Sequence, residues 1–312
     1  MVQIDTWEEA TAGELSDFYN RQIARIPLCF AVASDEFQRG FEYRVNPWPN
    51  EEGKDGLEGH SQRQLLVARE GGEVVGFADM GRQLEEKGPA CGLIRCLLYE
   101  PGQRRAGQAL LEEAEAYFRG LGLAQVKAFT QGTYPFFQFG YGALSQTLGH
   151  VHALFGINGY QVARFANDGL PQGWKMYRRA LEKVSCPEAP AADIEIKIQH
   201  PASRGQRPNL AVELCRGGDL LAVGWSSAAE SHCLTAAARP LFITDEIQVI
   251  QKDNYGRGWG RYLLLRTWWE MQQLGYTQAC LGCSLGNYRA HLLYTNLGYE
   301  VVDGSSAWCK EL

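Results

Sequence analysis

"NYGRGWGRYLLLRTWW", residues 254–269, sets three glycines into five positions and runs straight into a helical pattern. Glycine loses more freedom on ordering than any other residue. Three of them in one short turn ask what a side chain would block there. Just upstream, "EIQVI" (246–250) reads as an apolar strand, and the helix is expected to start near Gly260. A helix N-terminus presents unpaired N–H groups and a partial positive charge. Glycines ahead of it let several amides converge on one anion, which implies binding of a phosphate or pyrophosphate. A strand-to-helix turn without a ligand fits the same residues. A P-loop is excluded, because it needs Gly-Lys-Ser/Thr and Gly260 is followed by Arg261 and Tyr262. A dinucleotide fold is also excluded. Its glycines are spaced G-x-G-x-x-G, with an acid about twenty residues on, and "MQQLGYTQACLG" has none.

The chain repeats itself once. "LLVAREGGEVVGFADM" (65–80) and "LAVELCRGGDLLAVGWSS" (210–227) each read as two strands around a Gly-Gly turn. An apolar strand comes next in both, "CGLIRCLLY" and "LFITDEIQVI". Then a turn enters a helix, at 104–126 and again at 256–279. Gly107 matches Gly260, and Gly122 matches Gly275 at the same offset. Each half closes on Gly-Tyr, in "YPFFQFGYG" (134–142) and "LLYTNLGYE" (292–300). The order predicted for each copy is hairpin, strand, glycine turn, helix, strand, helix, strand, an α/β unit. The expected division is a first domain over 1–155, a connecting segment over 156–192 and a second domain over 193–312. A polar loop at 45–62 is expected to act as a lid.

At 312 residues the chain favours two domains. Its 45% apolar and 21% charged residues are those of a soluble globular protein. No apolar run approaches a membrane span, and the acidic start "MVQIDTWEEATAGELSDFYN" is no signal peptide. A net charge of −6 argues against nucleic acid as a partner. Nine scattered cysteines suggest a reduced, cytoplasmic setting. Cys280 and Cys283 form a C-x-x-C without a second pair nearby, so buried structural cysteines are expected rather than a metal. His150 and His152 are expected to share one strand face.

The glycine loop and the segment after it resemble the GNAT superfamily of N-acyltransferases. Its acetyl-CoA loop has the pattern Gln/Arg-x-x-Gly-x-Gly/Ala, against Tyr255-Gly256-Arg257-Gly258-Trp259-Gly260 in this chain, with Tyr255 in place of Gln/Arg. "GNYRAHLLYTNLGYEVV" then supplies Asn287, Ala290, Leu293, Tyr294, Leu297, Gly298 and Tyr299 at the family spacing. The resemblance is strong over 210–312 and weaker over 64–155. It implies a mixed α/β sheet flanked by helices, duplicated in tandem, which splays open after "EIQVI". Acetyl-CoA (coenzyme A) would lie in the gap, its pantetheine arm pairing beside Gln248 and Ile250. Residues 255–261, through Arg261, would hold its pyrophosphate, and Asn287 its arm.

The same resemblance makes Tyr294 the proton donor to the departing thiolate. Its ordinary pKa near 10 keeps it protonated at neutral pH. A core aromatic on an amphipathic helix would look the same. For the base, Glu246 shares a strand face with Gln248 and Ile250, while Asp245 is expected on the opposite face. An exposed carboxylate, or a water chain as base, remains open, and His291 is expected on the helix surface. In the first half Arg105 stands at the place of Gly258 and Phe136 at that of Tyr294. That half is therefore expected to be a degenerate scaffold. The reading is an acetyltransferase acting on the primary amine of a small molecule or a peptide amino terminus. The rival is a silent acyl-CoA-binding module.

Overall fold

The computed structural model describes residues 1–7, 12–42, 60–85, 88–130, 143–165, 169–182, 184–250 and 255–312. The first half runs β1 (Val2–Thr6), α1 (Ala12–Ile23), α2 (Ser34–Glu42), β2 (His60–Glu70), β3 (Glu73–Gln83), β4 (Cys91–Tyr99), α3 (Arg104–Gly120), β5 (Gln125–Ala128), β6 (Leu144–Ser145), α4 (Gly149–Ile157) and β7 (Gln161–Val162). Next come β8 (Gly173–Ala180), β9 (Glu195–Gln199), β10 (Leu210–Arg216), β11 (Asp219–Ala228), α5 (Glu230–Cys233), β12 (Leu241–Val249), α6 (Trp259–Gln273), β13 (Gln278–Ser284), α7 (Tyr288–Asn296), β14 (Glu300–Ser306) and β15 (Trp308–Glu311). The expected series appears in full in the second half, as β10–β11, β12, α6, β13, α7 and β14. Most of the expected lid (residues 45–59) and the whole segment carrying Phe136 lie outside the described residues.

Two mixed sheets form, ordered β1-β2-β3-β4-β5-β15-β7 and β6-β14-β8-β13-β12-β11-β10-β9. The halves trade strands. β15 lies between β5 and β7 of the first sheet. β8, expected within a connecting segment, lies between β13 and β14 of the second. The short β6 adds to β14, where Ser145 Oγ donates to Asp303 across the halves. Residues 156–192 are thus built into both sheets rather than strung between them. The core reflects the exchange. Trp174, Met176, Leu241, Ile243 and Cys280 pack in one cluster with Phe18, Phe37 and Phe77, while Trp268, Leu263, Tyr177 and Tyr299 centre the second. Arg204 adds two hydrogen bonds, 2.8 and 3.0 Å, to Glu36 of the other half.

His150 and His152 sit on a helix, not a strand. Val151, Leu154 and Phe155 are its buried side, an i, i+3, i+4 pattern that a nine-residue apolar run conceals. Both imidazoles bond backbone carbonyls, of Tyr99 and Ser145. Cys280 and Cys283 lie buried on β13, and burial raises both thiols.

Both halves place a bulge at the same point. In β4 it falls on Arg95, between the pairs Met80↔Ile94 and Asp79↔Cys96. In β12 it falls on Asp245, between Ser226↔Thr244 and Trp225↔Glu246. The first-half bulge is closed. Arg95 is fully buried, donating to Asp79 at 2.8 Å and to Gly40 O at 3.0 Å. Burial, with Arg95 and Arg63 behind it, pushes the neighbouring His60 down to about 3, so it stays neutral. Arg95→Leu would leave the buried Asp79 carboxylate with only the longer Arg63 pair, 3.7 Å. A urea melt should show a loss of about 3–5 kcal/mol, the usual cost of breaking a buried pair from one side.

Candidate active site

The site is built where β12 and β13 part. They pair in parallel only over Leu241↔Gln278, Phe242↔Ala279 and Ile243↔Cys280. Beyond Ile243 the strands diverge, and a cavity of about 1190 Å³ opens on the side of α6 and α7. Its walls are Ile247 to Val249 of β12 with Ile250 just beyond, the glycine turn with Arg261, Asn287 at the cap of α7, and Arg289, Ala290, Leu293 and Tyr294 of α7.

Alternation along β12 decides which backbone groups face the gap. Ile250 N–H donates to Leu221 O, 2.9 Å, so it is used by β11. The groups turned toward the open side therefore belong to Ile247 and Val249. The exposed Ile250 side chain still lines the cavity, as does Gln248.

Gly258 is the N-cap of α6, at φ +85°, and Gly256 stands at φ +78°. Both conformations favour glycine. Among the described residues, a Cβ at either position would meet nothing within 4 Å beyond its chain neighbours. What a side chain would fill is open space in front of the helix. Gly260 differs: its Cβ would touch Ile247 and Leu293 at 3.7 Å, ordinary contact. Among the described residues no side chain caps α6, so the N–H groups of residues 259–261 point out of the helix end without a helical partner. Tyr255, Arg257 and Arg261 are exposed around the turn, while the Trp259 ring is buried beneath the Arg216 guanidinium. Asn287 caps α7 through its carbonyl oxygen, which accepts from Ala290 N. The cradle, the uncapped helix end and the cationic rim fit a pyrophosphate group.

Tyr294 reaches the same cavity. Its ring is held edge-on by Tyr177 of β8 (5.6 Å) and by Tyr299 (5.9 Å). Burial first, then the nearby Cys283 and Tyr177, raise its pKa, so the phenol keeps its proton. His291 is not simply a surface residue. Its Nδ1 lies 2.7 Å from Tyr177 Oη. The bulge also corrects the face assigned to Asp245. Ser227 donates to Asp245, and Glu246 stands opposite Trp225. Ser227 and Trp225 are two apart on one strand and share a face. Asp245 and Glu246 therefore both turn to the side away from α6, toward the first half. No pattern in "ITDEIQV" signals this, because a bulge is a property of pairing.

The first half differs at its matching turn. There α3 already starts at Arg104, with Gln103 as N-cap. Arg105 is its second helical residue rather than a left-handed cap. A Cβ on Gly107 would strike the Tyr99 ring at 2.6 Å, so this glycine serves close packing.

Residues 30–141 match the acetyltransferase (GNAT) family. The match falls on the first half, where the motif resemblance is the weaker of the two. No curated protein matches the chain in sequence. Among solved structures, a tandem GNAT protein from the clavulanic acid biosynthesis pathway, without acetyl-CoA, is 14% identical. It covers 100% of this chain and 98% of its own, with a TM-score of 0.69. A GCN5-related glucosamine N-acetyltransferase region of a fungal multi-domain beta-N-acetylglucosaminidase is 14% identical, with a TM-score of 0.67 over 99% of this chain and 38% of that one. A GCN5-related N-acetyltransferase from Sphaerobacter thermophilus is 13% identical, with a TM-score of 0.63 over 99% and 95%. The chain thus has the tandem GNAT fold, two copies in one polypeptide, and residues 30–141 match the acetyltransferase (GNAT) family in sequence.

Proposed function

We propose that the protein is an acetyl-CoA-dependent N-acetyltransferase with one active site, in the second half, acting on the primary amine of a small molecule or a peptide amino terminus. The observation that carries this reading is a single cavity lined at once by the uncapped glycine turn, the open edge of β12 and Tyr294. When bound, acetyl-CoA supplies an acetyl group activated as a thioester. The amides of 259–261 and the rim arginines bind the pyrophosphate. Ile247 and Val249 hold the arm as an added strand would be held. Asn287, its carbonyl spent on the helix cap, offers its amide nitrogen. Tyr294 holds a proton where the sulfur departs. The acceptor approaches from the other side of the sheet, where Asp245 and Glu246 stand ready for the amine proton. The first half walls off that side.

Tyr294→Phe tests the assignment, because it removes one hydroxyl and keeps the ring between Tyr177 and Tyr299. Thiol release over an amine panel should fall about 10²–10⁴-fold in both kcat and kcat/KM. Acetyl-CoA affinity by calorimetry should stay within a few-fold. An unchanged kcat, with chemistry limiting, returns Tyr294 to a packing role. Tight acetyl-CoA binding with no amine acetylated favours the silent binding module.

A further inference from the structure

On the acceptor side of the second sheet, three polar side chains form a line. Ser227 Oγ lies 3.0 Å from Asp245 Oδ1 and 3.3 Å from His232 Nε2. Ser227 is fully buried and His232 is 5% exposed, while Asp245 is half-buried. The directions come from proton counting. An ionised carboxylate only accepts, and a hydroxyl has one proton. Ser227 therefore donates to Asp245, and His232 must carry its proton on Nε2 to donate to Ser227.

The line ends where the sheet forks. Asp245 lies two residues beyond Ile243, which pairs with Cys280. Cys280 is the last residue of β13 paired to β12. Glu246 stands one residue further out, opposite the exposed Trp225, with no hydrogen-bond partner among the described residues. At the matching bulge the first half has Arg95, consumed by Asp79. It has Gly81 at the place of Ser227, each standing opposite the residue two before the bulge. The line is thus particular to the half that holds the cavity.

We infer that Asp245, rather than Glu246, accepts the proton of the acceptor amine, with Ser227 and His232 as positioning residues that orient it. This rests on the acetyltransferase reading. In the step, the amine nitrogen bonds to the acetyl carbon and the carbon–sulfur bond breaks. The nitrogen's proton passes to Asp245, and the thiolate takes a proton from Tyr294. The Ser227 hydrogen bond fixes one oxygen of the Asp245 carboxylate, and His232 in turn fixes the Ser227 hydroxyl.

Two measurements on the full chain test this. In the first, thiol release is followed over the amine panel. Asp245→Asn should lower kcat by about 10²-fold or more, with acetyl-CoA affinity within about two-fold, and should cost more than Glu246→Gln. Ser227→Ala should cost about ten-fold alone and add little on top of Asp245→Asn, since residues acting as a unit are non-additive. A structural role would instead give additive losses that track the melting temperature. In the second, ring ¹⁵N shifts of labelled histidine should show His232 as the Nε2–H tautomer in the wild type, perturbed in Asp245→Asn. An Nδ1–H tautomer, additive effects, or a larger loss for Glu246→Gln would each overturn the inference. A wild type that binds acetyl-CoA and acetylates nothing would overturn the acetyltransferase reading, and the proton-acceptor role with it. The ring shifts would still report whether the line of hydrogen bonds exists.

Discussion

Gly258→Arg should abolish coenzyme A binding, taking a calorimetric stoichiometry from one per chain to none. Two effects combine. The N-cap of α6 sits at φ +85°, where a side chain costs about 1–2 kcal/mol. The side chain also enters the open space in front of residues 259–261, where the anion is proposed to lie. Gly260→Ala is the control. Its Cβ would make only 3.7 Å contacts, so binding should persist within a few-fold. Retention by Gly258→Arg, or two equivalent sites in the wild type, would contradict a single site at this turn. The matching turn of the first half has a smaller cavity, about 630 Å³, and it differs in shape, because α3 begins one residue before the position matching Gly258 and carries Arg104 and Arg105 in its first turn.

The fragment 190–312 should not fold. It contains the glycine loop and the 287–299 segment, yet it lacks β8, which stands between β13 and β14. Without β8, both neighbouring strands lose their partner, over Gln278↔Ala180 to Ser284↔Trp174 on one side and Glu300↔Arg178 to Ser306↔Gly173 on the other. Tyr177 leaves with it, and so does one wall of the Tyr294 ring. Far-UV circular dichroism should show no cooperative melt, where the full chain gives one. A chain ending at Ala307 should also be strongly destabilised, because β15 alone joins β5 to β7. A fragment 190–312 that melts cooperatively and turns over as fast as the full chain would remove the first half from the site.

What is local is plain in the sequence. Gly-Gly hairpins, an apolar strand, a glycine turn and an amphipathic helix each have a signature within some twenty residues, and their repetition makes the duplication visible. The glycine turn is legible for the same reason: the glycines at 256 and 258 are required by their own dihedrals. The rest depends on partners. "GWKMYRRA" does not announce which sheet it joins, and the four residues of β15 are too few to carry a period. Strict alternation misplaces Asp245, because alternation fails at a bulge and the bulge is set by register against β11. The short helix α4 hides in a run so apolar that its buried side does not stand out. Tyr177 cannot be placed near Tyr294 without knowing that β8 crosses over.

Strand exchange also bears on how the chain is made. Gln125 bonds Glu311 across 186 residues, so β15 leaves the ribosome long after the strand it pairs with. The first sheet therefore emerges early with the edge of β5 unpaired, and must wait for the whole second half to be synthesised before it is closed. Long-range pairing of this kind is slow to form, and an open edge in the meantime invites intermolecular pairing. A protein assembled this way commits to its fold late, rather than domain by domain. Its yield in a cell should then depend on chaperone supply during the interval, more than its final stability would suggest.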